Sequence, residues 1–154
     1  MIHVESSITV NRSTKEVFEL VSDPSNHARW HGYVTSVQTG AEGPVSVGGR
    51  CTWMLRTPIG KGVPMEVEVV EVEPRRRVQF RGTSGPMRVL VTYLFQQETD
   101  RTKVQRIADV ECAATVAEPL LRGMIRRRNT TDLRALKGYL EADEAEQDTP
   151  PPTT

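Results

Sequence analysis

The sequence predicts an α+β domain in which an antiparallel meander of strands is covered by one long C-terminal helix. Two observations carry that reading. From Glu118 to Glu141 the chain runs EPLLRGMIRRRNTTDLRALKGYLE, with Pro119 near its start, where a missing N–H costs nothing. Within it Leu121, Ile125, Leu133, Leu136 and Leu140 recur at helical spacing and make one apolar stripe, with Asn129 in its middle. The second observation is that almost everything before this helix alternates with the period of strands. A lone amphipathic helix needs a sheet to cover. If that sheet curves, helix and sheet enclose a pocket.

The elements follow in chain order. Ile2 to Val10 alternates Ile2, Val4, Ser6, Ile8 and Val10 against His3, Glu5, Ser7 and Thr9, a half-buried strand. Ser13 followed by Glu16 is a capping box and opens a short helix with Val17, Phe18, Leu20 and Val21. Asp23, as a cap, and Pro24, in the first turn, start a second short helix carrying His27, Trp30 and His31. Strands are expected at Tyr33–Thr39, at Arg50–Thr57 after the Gly-rich GAEGPVSVGG, and at Val63–Val72. After a turn at Glu73-Pro74-Arg75-Arg76, further strands are expected at Arg77–Thr83, Met87–Gln97 and Thr102–Cys112. Short connections between the last six strands imply an antiparallel meander.

The facing of the last two strands can be read in detail. Val104, Arg106, Ala108, Val110 and Cys112 share one face; Gln105, Ile107, Asp109 and Glu111 share the other. The first set faces inward. A two-residue turn at Asp100-Arg101 puts Gln97 opposite Val104, Phe95 opposite Arg106 and Tyr93 opposite Ala108. Val89, Val91, Tyr93 and Phe95 then share the inner face.

Composition sets the outer limits. The 154 residues suit one domain, placed at 1–142, followed by an acidic, Pro-rich tail at 143–154 that is expected to be disordered. Lys plus Arg and Asp plus Glu are both 20, which gives no electrostatic reason to expect nucleic acid or an anionic membrane. Cys51 and Cys112 lie in alternating segments and read as thiols without metal spacing. The opening MIHVESSITV lacks the basic and apolar regions of a secretory signal, so the cytoplasm is the expected compartment. No apolar run approaches the roughly 20 residues of a membrane span, so stable insertion is not expected.

Several segments resemble the START/Bet v 1-like superfamily, also called SRPBCC, and within it the polyketide cyclase/dehydrase-like group. ITVNRSTKEVFELVSDPSNHARW resembles the family opening, and VSVGGR resembles its Gly-Arg entry to the third strand. VEVVEVEPRRRVQFRG, VTYLFQQETDRTKV and RRRNTTDLRALKGYLE resemble its fourth and fifth strands, its sixth strand with the following hairpin, and its terminal helix. The resemblance covers about residues 1 to 142. It implies the helix-grip fold, a curved seven-stranded antiparallel sheet wrapped around the terminal helix. The superfamily includes lipid carriers, coenzyme-Q-binding proteins, aromatase/cyclases and hormone receptors, so the resemblance transfers a fold and not a reaction.

The residues expected to line an internal cavity are Trp53, Met65, Phe80, Tyr93, Phe95, Arg106, Ile125 and Asn129. Arg106 is the sharpest, because an apolar strand face should not carry an unpaired charge. It is placed to hold a ligand carboxylate or enolate, with Phe95 stacked beside it. The alternative is a bulge that turns it outward. The Asn129 amide either bonds a ligand or makes a structural bond to a strand, and the structural bond is favoured. His27 and His31, with Asp23 before them, mimic metal spacing, but Asp23 is better explained as a cap; no metal or cofactor is expected. The basic runs Arg75–Arg77 and Arg126–Arg128 read as solvated faces.

The expected function is binding or transport of a small hydrophobic or amphipathic ligand, a lipid or a polyketide, in a cavity of roughly 300–1,000 Å³. The loops Pro58–Gly62 and Gly82–Pro86 are expected at its mouth. The alternative is a polyketide aromatase/cyclase or dehydratase in the same cavity, which needs a general acid/base and a group to stabilise an enolate. Tyr93 and Arg106 are the pair available. The expected inner face shows no histidine or carboxylate, so binding is preferred. No residue is assigned as catalytic, and the oligomeric state is left open.

Overall fold

A computed structural model of the chain describes residues 1–39, 46–57, 60–112 and 117–148. Seven strands form a single sheet: β1 (Ile2–Val10), β2 (Val34–Thr39), β3 (Arg50–Leu55), β4 (Val63–Glu73), β5 (Arg77–Ser84), β6 (Met87–Glu98) and β7 (Arg101–Cys112). Their order is β1-β7-β6-β5-β4-β3-β2, with every neighbouring pair antiparallel. Strands β2 to β7 are a meander, as the short connections require, and β1 closes onto β7. Between β1 and β2 lie α1 (Thr14–Ser22), a 3₁₀ turn at Pro24–Asn26 and α2 (His27–Trp30). The long helix α3 is Glu118–Asp148. This is the curved sheet and terminal helix of the helix-grip fold. Among the described residues, no helix is long and apolar enough to cross a membrane.

Local chemistry explains the short helices. Ser13 caps α1, its Oγ accepting from the Glu16 N–H at 3.3 Å and donating to the Glu16 carboxylate at 3.2 Å. The Asp23 carboxylate accepts from the Ser25 N–H at 3.0 Å and from its hydroxyl at 2.6 Å. Asp23 is therefore a cap, as its sequence position suggests. Trp53 on β3 donates its indole N–H to the Pro24 carbonyl at 3.1 Å, which pins this turn to the sheet.

The β6–β7 hairpin differs from expectation by a shift of register. Glu98 pairs with Arg101, so the turn is Thr99-Asp100 and not Asp100-Arg101. Tyr93 therefore faces Arg106, and Phe95 faces Val104. Gln97 supplies the reason. Its amide donates to the Thr99 carbonyl at 2.8 Å, holding Thr99 at a left-handed φ of 55°, and its carbonyl accepts from the Thr14 hydroxyl at 2.5 Å. One side chain thus ties the turn to the start of α1. The slip is even-numbered, so every side chain keeps the face it was assigned.

The stripe on α3 faces the sheet, chiefly β1 and β7. Asn129, Leu133 and Leu136 are buried, whereas Leu120 and Met124 on the opposite side are 63% and 59% exposed. The sequence reading ends this helix near Ala142, yet its backbone stays helical to Asp148. Ala, Glu and Gln favour helix, and no proline intervenes before Pro150.

Two truncations on α3 check its orientation. Leu136→Ala is expected to cost about 2–5 kcal/mol in urea denaturation, the usual loss for a buried leucine. Leu120→Ala should change stability by no more than about 0.5 kcal/mol, as at an ordinary surface site. Comparable losses would mean that the helix is rotated from the position described.

Candidate functional site

The site is assembled where β6, β7, α2 and α3 meet. Tyr93 and Arg106 are cross-strand partners pointing inward from β6 and β7. Asn129 and Asp132 are one helical turn apart on α3 and reach down to them, so both lie on the buried stripe. His31, just after α2, reaches the same carboxylate from the other side. All five side chains are buried.

The Arg106 guanidinium organises this group. Its Nε–H donates to the Tyr93 hydroxyl at 3.0 Å, and one Nη donates to the Asn129 side-chain carbonyl. The other Nη lies 3.4 Å from Asp132 Oδ2, and His31 Nε2 lies 3.1 Å from the same oxygen. Neither contact to Asp132 has hydrogen-bond alignment, so both of its buried carboxylate oxygens lack a hydrogen-bond partner, and the Arg106 contact is an ion pair. The Asn129 amide donates to the carbonyls of Val4 at 3.3 Å and Arg106 at 3.4 Å, bridging β1 and β7. Asn129 therefore makes the structural bond that was the favoured reading.

Charge states follow from burial and neighbours. Burial works against the Arg106 cation, but Tyr93 and Asp132 outweigh it and hold Arg106 protonated. Burial raises the Tyr93 phenol, so it is neutral near pH 7 and Asp132 is the effective counter-charge. Burial also works against the Asp132 carboxylate, yet His31, Arg106 and Arg128 together hold it below the ordinary carboxylate range. Burial lowers His31 despite Asp132 beside it, and burial with His31 nearby lowers His27 to about 3. His27 is sandwiched in aromatic surroundings, 4.7 Å from the Trp53 ring centroid and 4.8 Å from that of Trp30. Its Nε2 bonds the Val21 carbonyl at 2.8 Å, which makes Nε2 the protonated nitrogen.

An apolar cavity opens from the Tyr93–Arg106 pair. Trp53, Met65 and Phe80 wall it, with Val67, Gly82, Val89 and Val91. Its volume is about 20 Å³, far below the expected range and close to the space of a single water. Met65 takes up part of the space. Its sulfur lies 2.7 Å from where a Cβ on Gly82 would sit, so the thioether occupies the space that Gly82 leaves. Two larger hollows, of about 330 and 410 Å³, are shallow grooves elsewhere on the surface.

This architecture can be set against known proteins. Residues 1–141 match the family model described as polyketide cyclase / dehydrase and lipid transport. The chain belongs to that family. Its fold is similar to a START superfamily protein from Mycobacterium smegmatis, at 15% identity and a TM-score of 0.79, covering 91% of this chain and 97% of that one. It is also similar to the ZhuI aromatase/cyclase from Streptomyces sp. R1128, at 19% identity and a TM-score of 0.76, covering 95% and 96% of the two chains. A di-domain aromatase/cyclase, BexL from the BE-7585A biosynthetic pathway, aligns at 19% identity and a TM-score of 0.74, over 92% of this chain and 47% of that one. No curated protein sequence matches the chain.

Of the eight residues expected to line the cavity, Trp53, Met65, Phe80, Tyr93 and Arg106 do so. Phe95 packs instead edge-on against Phe18, with centroids 5.5 Å apart, and no longer sits across from Arg106. Ile125 is half-buried outside the cavity wall, and Asn129 stands behind Arg106. Two expectations are corrected. Arg106 faces inward but is not an unpaired cation, because Asp132 was missed as its partner. The interior does hold histidines and a carboxylate, His27, His31 and Asp132. Helical spacing alone places Asp132 beside Asn129 on the inner stripe, so its signal was available. The two histidines serve packing and the Asp132 contact, and among the described residues no cluster could hold a metal ion.

The depressed histidine makes stability pH-dependent. His27 titrates at about 3 folded and near 6.5 unfolded. Between those values the unfolded chain binds more protons, so stability present above about pH 6.5 falls steadily on acidification. His31 adds to this in the same direction, and exposed His3, raised by Asp109 and Glu5, opposes it weakly. His27→Gln keeps a donor for the Val21 carbonyl and should flatten much of the slope of the urea midpoint between about pH 6.5 and 4. An unchanged slope would show that His27 is not held neutral.

Proposed function

We propose that this protein binds a small hydrophobic ligand, a lipid or a polyketide-like molecule, in the cavity walled by β3 to β7 on the inner face of the sheet. One observation carries the reading: an apolar chamber walled by Trp53, Met65 and Phe80 has Tyr93 and Arg106, hydrogen-bonded to each other, among its lining residues. Ligand sites combine an apolar wall with a few placed polar atoms in this way. The family description and the aromatase/cyclase neighbours support an occupant of this class. Met65 occupies the space beside Gly82 at the chamber wall. Its unbranched thioether repacks at low cost, so ligand entry displaces Met65 and leaves the polar end in place.

A second reading, an aromatase/cyclase or dehydratase, draws support from His31 and Asp132 beside Arg106. A carbonyl at the polar end would have a developing enolate met by Tyr93 and Arg106. A general base must also reach the substrate. His31 is occupied at both nitrogens, with Nε2 at Asp132 and Nδ1 accepting from the Tyr33 N–H at 3.4 Å. His27 is enclosed by Trp30 and Trp53. Binding is therefore the reading the geometry supports best.

Met65→Ala tests it. The variant is expected to lose about 2–5 kcal/mol of stability and to bind a compact apolar probe such as naphthalene more tightly than the parent protein in calorimetric titration. Native mass spectrometry of parent protein purified from its own host should show a co-purifying small molecule. No bound molecule from the host, together with no probe binding by Met65→Ala, would remove the basis for a ligand cavity.

A further inference from the structure

The polar end of the cavity carries a charge balance that restricts what it can accept. We infer that Asp132 sets the charge selectivity of the cavity, so that it takes uncharged, carbonyl-bearing apolar ligands and rejects carboxylates. The inference rests on the ligand-binding reading above and refines it to a chemical class.

The argument begins with Arg106. Each of its three nitrogens already faces a partner: Nε the Tyr93 hydroxyl, one Nη the Asn129 carbonyl, the other Nη the Asp132 carboxylate. Arg106 and Asp132 are both buried, and their charges cancel. His31 touches Asp132 as a neutral ring, since burial holds it uncharged near neutral pH. Arg128 also acts on Asp132 but stacks on the Tyr33 ring 4.3 Å away and is not among the residues that line the cavity. An entering carboxylate would thus find the one cation that lines the cavity, Arg106, already facing an anion. It would lose its hydration and meet the repulsion of Asp132 with no free counter-charge.

A neutral carbonyl meets a different situation. The Tyr93 oxygen accepts from Arg106, so its own proton points away from the guanidinium. Tyr93 lines the cavity, so that proton is available to a ligand oxygen there. Arg106 polarises the hydroxyl and makes it a stronger donor. A ketone or ester oxygen at this point gains a hydrogen bond without adding charge. Asp132 does not line the cavity and acts through Arg106, so it is a positioning residue for the site.

Two ligands of matched shape test the assignment: naphthyl methyl ketone and naphthoate, titrated calorimetrically near neutral pH. The parent protein is expected to bind the ketone at least about tenfold more tightly, a difference of about 1.4 kcal/mol. Asp132→Asn keeps the side-chain shape and leaves Arg106 uncompensated, so it should abolish or reverse that preference. Tyr93→Phe should weaken the ketone by about tenfold and leave naphthoate near its parent value. A change in packing alone would move both ligands together. If Asp132→Asn does not fold, the parent ratio and its collapse in Tyr93→Phe decide the matter. Equal affinities in the parent, a ratio unchanged in folded Asp132→Asn, or, where that variant does not fold, a ratio unchanged in Tyr93→Phe would overturn the selectivity while leaving ligand binding intact. Absence of binding by the parent, by Met65→Ala and by Asp132→Asn would overturn the binding reading and the inference with it.

Discussion

The buried contact between Arg106 on β7 and Asp132 on α3 is the constraint around which this fold is arranged. Neither charge could enter the interior alone. An isolated buried ion costs several kcal/mol even after relaxation, and only a well-placed partner offsets that cost. The pair therefore fixes where the long helix lies on the sheet and how it is rotated. Asn129 reinforces the choice by bonding backbone carbonyls on β1 and β7, the two strands joined when the sheet closes. Apolar packing by Leu133 and Leu136 supplies attraction, but it is non-directional. The polar contacts select one placement among those that hydrophobicity would tolerate.

The cavity follows from the same placement. Tyr93 and Arg106 form its polar end because they are cross-strand partners, and they are partners because Gln97 holds the turn one register step from where the sequence suggests. Met65 and Gly82 determine the free volume on the apolar side. At the polar end Tyr93, Arg106 and Asn129 are joined by hydrogen bonds. The apolar side is adjustable, since one of its wall residues, Met65, is a flexible thioether. A chamber of this kind can hold the orientation of a ligand while accommodating its size.

Much of this was legible in the sequence. Alternation placed all seven strands, the Ser13–Glu16 pair marked α1, and the stripe through Leu133 and Leu136 oriented α3. Arg106 was recognisable as inward-facing because strand parity survives any even slip of register. The pairing itself was not legible, because moving the turn by one residue shifts the pairing by two and leaves the hydrophobic pattern unchanged. It was decided by Gln97, whose two bonds reach Thr99 and Thr14 and whose sequence context says nothing of either. Asp132 was overlooked because an acidic residue on a helix usually reads as solvent-facing. Its separation from Asn129 puts it on the inner stripe all the same. The cavity volume was the least accessible quantity, since it depends on how Met65 packs and not on which residues face inward.

The most direct measurement is a double-mutant cycle on the buried pair, using Arg106→Met, Asp132→Leu and their combination, with stabilities taken from urea denaturation. Each single variant strands a charge in the interior and is expected to lose about 3–5 kcal/mol. The double variant, with both charges removed, should lose much less than the sum of the two, with a coupling of about 2 kcal/mol or more. Additive losses would contradict the account, because they would show that Arg106 and Asp132 do not hold each other inside the protein.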